Sequence, residues 1–194
     1  MRNSVDALLA KSPAAGRIAV IGNAGGGKTT MCSKLGKHLA LNVYQLDPLQ
    51  WKPGGVAVPV EEFTQKHNEL ISRDAWIIDG WGSWASIELR FAAADTIIFI
   101  DHPLPVHYWW VINRQCPSII LPGLTLGERQ RLWLETSALV KGMWQIHRRE
   151  RKRLIEIIEA HRHGKHLIHI RSPKELKQFI VKLEPMAVPQ PDLP

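Results

Sequence analysis

Eight consecutive residues, Gly22-Asn23-Ala24-Gly25-Gly26-Gly27-Lys28-Thr29, have the types and spacing to hold a chain of phosphates. They fit G-x-x-x-x-G-K-[ST]. The glycines permit a tight turn with positive φ, which leaves backbone N–H groups pointing inward. Those amides, with Thr30 and the rest of the next helix's first turn, surround phosphate oxygens. Lys28 is long enough to reach β- and γ-phosphates, and the Thr29 hydroxyl suits Mg²⁺. A glycine-rich turn between two elements would give the same letters, so context decides. Residues 17–21 read as a short buried strand, and residues 28–40 as an amphipathic helix with Met31, Leu35 and Leu39 on one face.

Three aspartates close apolar stretches further along the chain. Asp47 follows residues 41–46, Asp79 follows 75–78, and Asp101 follows 96–100. In open parallel sheets, ligands bind at the carboxyl ends of the strands. Thr29 with Asp79 or Asp101 would hold Mg²⁺, directly or through water. Asp101 has the form of an aspartate ending the clearest apolar strand. Asp47 suits a hydrogen bond from an acceptor hydroxyl or the role of general base; Asp47-Pro48 is equally a turn signal. Trp51, in a turn-rich stretch 48–55, can stack on a planar ligand or plug the loop from below. Lys52 reads as a solvated rim charge. Arg90 suits an anionic group on the acceptor. Arg148, Arg149, Arg151 and Arg153 spread around one helix at 100° per residue. Arg149 shares a face with Arg153, and Arg148 with Arg151, so one pair can clamp a γ-phosphate. The alternative is a solvated face pairing with Glu150 and Glu156. Histidines 161, 163, 166 and 169 give no metal spacing and read as surface and strand residues.

Positioning these groups requires alternating strands and helices, hence a parallel sheet with right-handed crossovers. Further helices are expected over 60–73, around Ile87 and Phe91, from Pro105 to Arg114, over 128–140 and 143–163 with a break at Gly142, and over 173–183. Residues 165–170 form the last strand, and Ser172 caps the last helix. Residues 115–127 read as a mobile connector. The organisation expected is an extension over 1–16, one domain over 17–183 with a lid near 115–140, and a proline-rich disordered tail over 184–194. A chain of 194 residues is long enough for a full core. No apolar run reaches membrane-spanning length, the amino-terminal stretch lacks a signal-peptide core, and Cys32 and Cys116 lack metal spacing. A cytoplasmic protein is expected. The formal net charge of +7 suits polyanionic nucleotides and, as an alternative, nucleic acid.

The chain resembles the small nucleoside- and nucleotide-kinase-like proteins related to adenylate kinase and shikimate kinase. Within them it is most similar to the FlaR-type topology modulation proteins. The resemblance rests on the loop 22–29, residues 46–54, Trp76-Ile77-Ile78-Asp79-Gly80, Leu89-Arg90 and residues 94–101, and it spans roughly residues 17–183. It implies a three-layer α/β P-loop NTPase fold with a five-stranded parallel sheet and a small helical lid. It further implies Mg·ATP as donor and a small acceptor as partner. Asp79 takes the Asp-Gly position of adenylate kinases. Asp47 takes the place of the acceptor-site aspartate of shikimate kinases. Arg114, at the start of the lid, matches an arginine that stacks on adenine, and Arg171 with Ser172 matches the adenine rest. Trp81-Gly82-Ser83 departs from the aromatic-Pro-Arg continuation of adenylate kinases, and also from the Asn-aromatic continuation of FlaR-type proteins. The expectation is a kinase acting on a small molecule; the alternative is an ATP-dependent nucleic-acid-binding or regulatory module.

Overall fold

The computed structural model describes residues 16–52, 56–120 and 124–183. The expected extension up to residue 15 and the tail from 184 lie outside them. Five strands form one parallel sheet: β1 (Arg17–Gly22), β2 (Val43–Gln45), β5 (Trp76–Asp79), β6 (Thr96–Ile100) and β7 (His166–Ile170), in the order β2-β5-β1-β6-β7. Between β2 and β5 lies a two-stranded antiparallel hairpin, β3 (Trp51–Lys52) with β4 (Val56–Ala57). β1 lies at the centre, with Val20 level with Asp79 on one side and Gly22 level with Ile100 on the other. This register carries the phosphate loop and two of the aspartates to one edge of the sheet.

The strands are short runs of Ile, Val, Phe and Trp because both of their faces are covered. Side chains alternate across the pleat. Ile18 and Val20 pack with Met31 and Leu35 of α1 (Lys28–Leu39) and with Phe179 of α8 (Pro173–Leu183). Ala19 and Ile21 pack on the other face. There they meet Phe63 and Leu70 of α3 (Val60–Ile71), Ile87 and Phe91 of α4 (Trp84–Ala93), and Leu154 and Ile158 of α7 (Arg151–Ala160). A two-faced parallel sheet of this kind makes the three-layer α/β architecture.

The elements differ from the sequence expectation in several places. The turn-rich stretch after Asp47 does not begin as a loop: Asp47 opens a one-turn helix, α2 (Asp47–Gln50). Ala40 lies outside α1 as a left-handed cap with φ 54°. The stretch expected as a connector is largely helical, because α5 runs Leu104–Ile120 through Pro117. A proline costs a helix one hydrogen bond, and packing of α5 against α6 (Leu126–Gln145) offsets it. Gly142 does not break α6. The irregularity comes four residues later, as a π segment over Ile146–Glu150 that feeds α7. The lid expected near 115–140 therefore falls on the end of α5 and most of α6, with 121–123 outside the described residues. Within α4, Leu89 is 46% exposed while Arg90 is fully buried, so a charged residue occupies the core position. Among the described residues no helix is long and apolar enough to cross a membrane.

Candidate functional site

The loop between β1 and α1 is built for close approach. Gly22 has φ 153°, and a Cβ there would lie 2.2 Å from the carbonyl oxygen of Ile100. β1 and β6 can therefore meet at this level only through glycine. α1 begins after Gly27 in a left-handed conformation with no side-chain cap, which leaves its first N–H groups free for an anion. Lys28 Nζ donates to the Asn23 carbonyl at 2.9 Å, across the mouth of the loop. Asn23 is 7% exposed: its Oδ1 accepts from the Ala24 N–H at 2.9 Å, and its Nδ2 donates to the Met143 carbonyl of α6 at 2.8 Å.

The Thr29 hydroxyl donates to Asp79 Oδ2 at 2.9 Å. Asp79 is 4% exposed, and its other oxygen, Oδ1, is buried without a partner. Burial pushes its pKa up, as does the nearby carboxylate of Asp47; Lys28, the Thr29 hydroxyl and Arg90 oppose the shift. A threonine hydroxyl joined to an aspartate with one oxygen to spare suits a hard cation with oxygen ligands and waters, so the residues present fit Mg²⁺.

Asp101 stands differently. Arg151 Nε and Nη2 each lie 2.7 Å from one of its oxygens, and His169 Nε2 lies 2.9 Å from Oδ2. Burial alone would raise its pKa, but the His169 hydrogen bond and the Arg151 fork hold it down at about 2. Both oxygens are engaged, so the strand-end pattern that makes Asp101 a candidate for Mg²⁺ here marks the anchor of an ion pair.

The remaining candidates separate into groups. Asp47 is exposed, and its Oδ1 lies 3.4 Å from where a Cβ on Gly80 would be, so it borders the same edge as Asp79. Arg90 is fully buried; its Nη2 donates to the carbonyls of Gly80 at 2.9 Å and Trp81 at 3.3 Å. Its Nε and Nη1 have no partner, and burial lowers its pKa to about 10 against the pull of Asp79. As it stands, Arg90 holds the Gly80–Trp81 turn, and its two spare nitrogens are buried. Trp51 is 55% exposed on β3, not a plug beneath a loop. Arg149 is exposed in the π segment, and its side chain makes no hydrogen bond or ion pair among the described residues. Arg153 lies over the Trp84 ring at 4.2 Å, so the two arginines do not act as a pair here. Arg114 is exposed on α5. Arg171 is exposed and bonds Glu175 through its backbone N–H, while Ser172 caps α8 through the Glu175 N–H at 3.2 Å. The unusual Trp81-Gly82-Ser83 has a local cause. Gly82 has φ 78°, a Cβ there would lie 2.4 Å from Ser86 Oγ, and Ser83 and Ser86 form the capping box of α4.

Two histidines had no expected place in the site. His102 and His107 are each 1% exposed, not surface residues. His107 Nδ1 donates to the Ala24 carbonyl at 2.8 Å and so braces the phosphate loop from α5. Burial lowers its pKa to about 4, which keeps the ring neutral beside Lys28. Nothing local signals this role beyond a histidine on an otherwise apolar helix face. Among the described residues, no group of three or more His, Cys, Asp or Glu could hold a metal by itself.

No family model matches this chain, and no curated protein matches it in sequence. Solved structures do match. A gluconokinase from Sinorhizobium meliloti 1021 aligns at 13% identity with a TM-score of 0.53, over 88% of this chain and 90% of that one. A shikimate kinase from Bacteroides thetaiotaomicron aligns at 14% identity with a TM-score of 0.50, over 87% and 96%. At such identities the likeness is one of fold: the chain has the three-layer α/β fold of P-loop small-molecule kinases.

Proposed function

We propose that the protein is a phosphotransferase that moves the γ-phosphoryl of ATP to a small acceptor. The observation that carries this reading is the Thr29–Asp79 hydrogen bond beside Lys28, at the foot of an uncapped helix. Phosphoryl transfer needs charge neutralisation and in-line placement more than covalent chemistry. The loop amides and Lys28 take the β- and γ-phosphates, and Lys28 leaves the Asn23 carbonyl to do so. Thr29 and Asp79 would hold Mg²⁺, which neutralises phosphate charge when bound. Asp47, at the same edge, orients an acceptor hydroxyl or takes its proton. Trp51 offers a ring face to the acceptor, and Arg90 a buried cation behind the Gly80–Trp81 turn. Arg114 and Arg171 serve the nucleotide base, and Arg149 closes on the γ-phosphate when the α5–α6 hairpin acts as a lid. Residues 22–29, 46–54 and Asp79-Gly80 support a FlaR-type protein, Trp81-Gly82-Ser83 departs from that type, and a cytoplasmic location belongs to the same reading. The nucleic-acid alternative is weakened, because Arg151 is tied to Asp101 and Arg153 to Trp84.

The test is turnover of ATP against a panel of sugars, nucleosides and hydroxy acids. Lys28→Ala is expected to abolish it while the thermal midpoint without ligand stays near that of the parent. Undiminished turnover in that variant would sink the mechanism.

A further inference from the structure

Five of the six residues 148–153 are basic, and they follow α6. A cavity of about 550 Å³ opens between the turn entering α5 and the helical stretch that follows α6. Pro103 and Pro105 form one wall; His147, Arg148, Arg151 and Lys152 form the other. No aspartate, no glutamate and no residue of 22–29 lines it. Arg148 and Lys152 are exposed, and their side chains make no hydrogen bond or ion pair among the described residues. Arg151 commits Nε and Nη2 to Asp101, which leaves Nη1 outside that fork.

Arg151 is paired with Asp101, so the cations without a counter-charge on this wall are Arg148 and Lys152. Arg148 and Lys152 are four residues apart, the spacing at which like charges on a helix are unfavourable. The wall also begins in the π segment, a distortion found often at functional sites. The amino-terminal end of the 17-residue α5 opens beside the prolines and adds the positive end of its dipole. An anion in the cavity relieves all of these terms together, and the concave volume lies within the range of small-molecule sites.

We propose that this cavity is a second anion site, separate from the phosphate loop, that takes a phosphate dianion as the free ion or as the phosphomonoester of a small molecule. A nucleic-acid strand is the less favoured occupant, because the basic run is not a continuous strip: Arg153 turns away to stack on Trp84. Occupancy competes with Asp101 for Arg151, the one residue that walls the cavity and holds the sheet edge. The site stands whether or not the loop transfers phosphate.

The test is calorimetric titration of the full chain with inorganic phosphate, glucose 6-phosphate and a 20-base-pair DNA duplex. It is run in the parent, in Lys28→Ala, and in Arg148→Gln with Lys152→Gln, with circular dichroism to confirm folding. Binding of phosphate or the phosphomonoester that survives Lys28→Ala and weakens at least tenfold in the double variant supports the site; a preference between the two ligands tells which source it serves. Binding lost in Lys28→Ala and unchanged in the double variant overturns it, because the anion then sits in the phosphate loop. A double variant that loses only DNA binding also overturns it, in favour of a nucleic-acid surface.

Discussion

Asp79 and Asp101 end the two strands that flank β1, and the same rule of sequence singles out both. Their surroundings give them opposite properties. Asp79 keeps one oxygen without a partner, and burial raises its pKa. Asp101 has both oxygens engaged and a pKa of about 2. The difference comes from what the neighbouring elements bring. Beside Asp79 the chain supplies a hydroxyl from α1 and a glycine turn. Beside Asp101, α7 supplies an arginine and β7 a histidine. An unsatisfied buried carboxylate is costly and persists where it serves binding, whereas a forked ion pair at a half-exposed seam ties two elements together.

The contrast is broken most directly by replacing each aspartate with asparagine. Asp79→Asn is expected to lower ATP turnover by about a thousandfold, the scale of losing a group that holds charge in the transition state. Its stability should hold or rise, since a buried charge is removed. Asp101→Asn is expected to keep turnover within about tenfold. It should lower unfolding free energy by about 2 kcal/mol, because Arg151 is 41% exposed and can turn to water. Steady-state kinetics and urea unfolding on both proteins measure the two effects. Equal losses of turnover would mean that Asp101 leaves its ion pair to serve the site.

Arg90 sharpens the same comparison from the Asp79 side. Arg90→Met leaves the Gly80 and Trp81 carbonyls unpaired and removes the cation that opposes the upward shift of Asp79. A loss of about 3 kcal/mol in unfolding free energy is expected. The acid limb of turnover should also move to higher pH. Arg90→Lys should recover part of the charge effect and little of the stability, since an ammonium cannot span both carbonyls. Unchanged stability in Arg90→Met would show that relief of the guanidinium's own desolvation outweighs the two hydrogen bonds.

What the sequence disclosed follows the reach of each interaction. The phosphate loop, the five strands and the Ser172 cap are local patterns, legible within a few residues of themselves. The parallel order follows from alternation of strands and helices. The fate of Asp101 was not legible, because Arg151 lies 50 residues away and His169 lies 68 away. Arg90 reads as a partner for an anionic acceptor; only placing α4 on the sheet turns the guanidinium inward and Leu89 outward. His107 and Asn23 act through backbone carbonyls, which no side-chain pattern reports. The π segment is likewise invisible, since its sequence continues a helical run on both sides.

The two carboxylates also separate by pH. The proposed mechanism uses ionised Asp79, so kcat/KM is expected to fall below a pKa that burial raises from the ordinary aspartate value. The Asp101 ion pair obeys the opposite sign. Its depressed pKa contributes stability that is complete above about pH 4 and is lost only as pH falls toward 2. Any loss of stability at milder acidity must come from elsewhere. His67 and His107 are buried with pKa values lowered to about 4, below the 6.5 of an unfolded histidine. Their contribution is present above pH 6.5 and lost as pH falls through 4, at about 2 kcal/mol each between pH 7 and 5. Urea midpoints measured across that window should therefore decline in the parent and in Asp101→Asn with the same slope. The decline should flatten in His67→Leu, whose ring nitrogen Nε2 has no partner to lose. A slope that changes with Asp101 and not with His67 would place the titrating group at the ion pair and reverse the assignment.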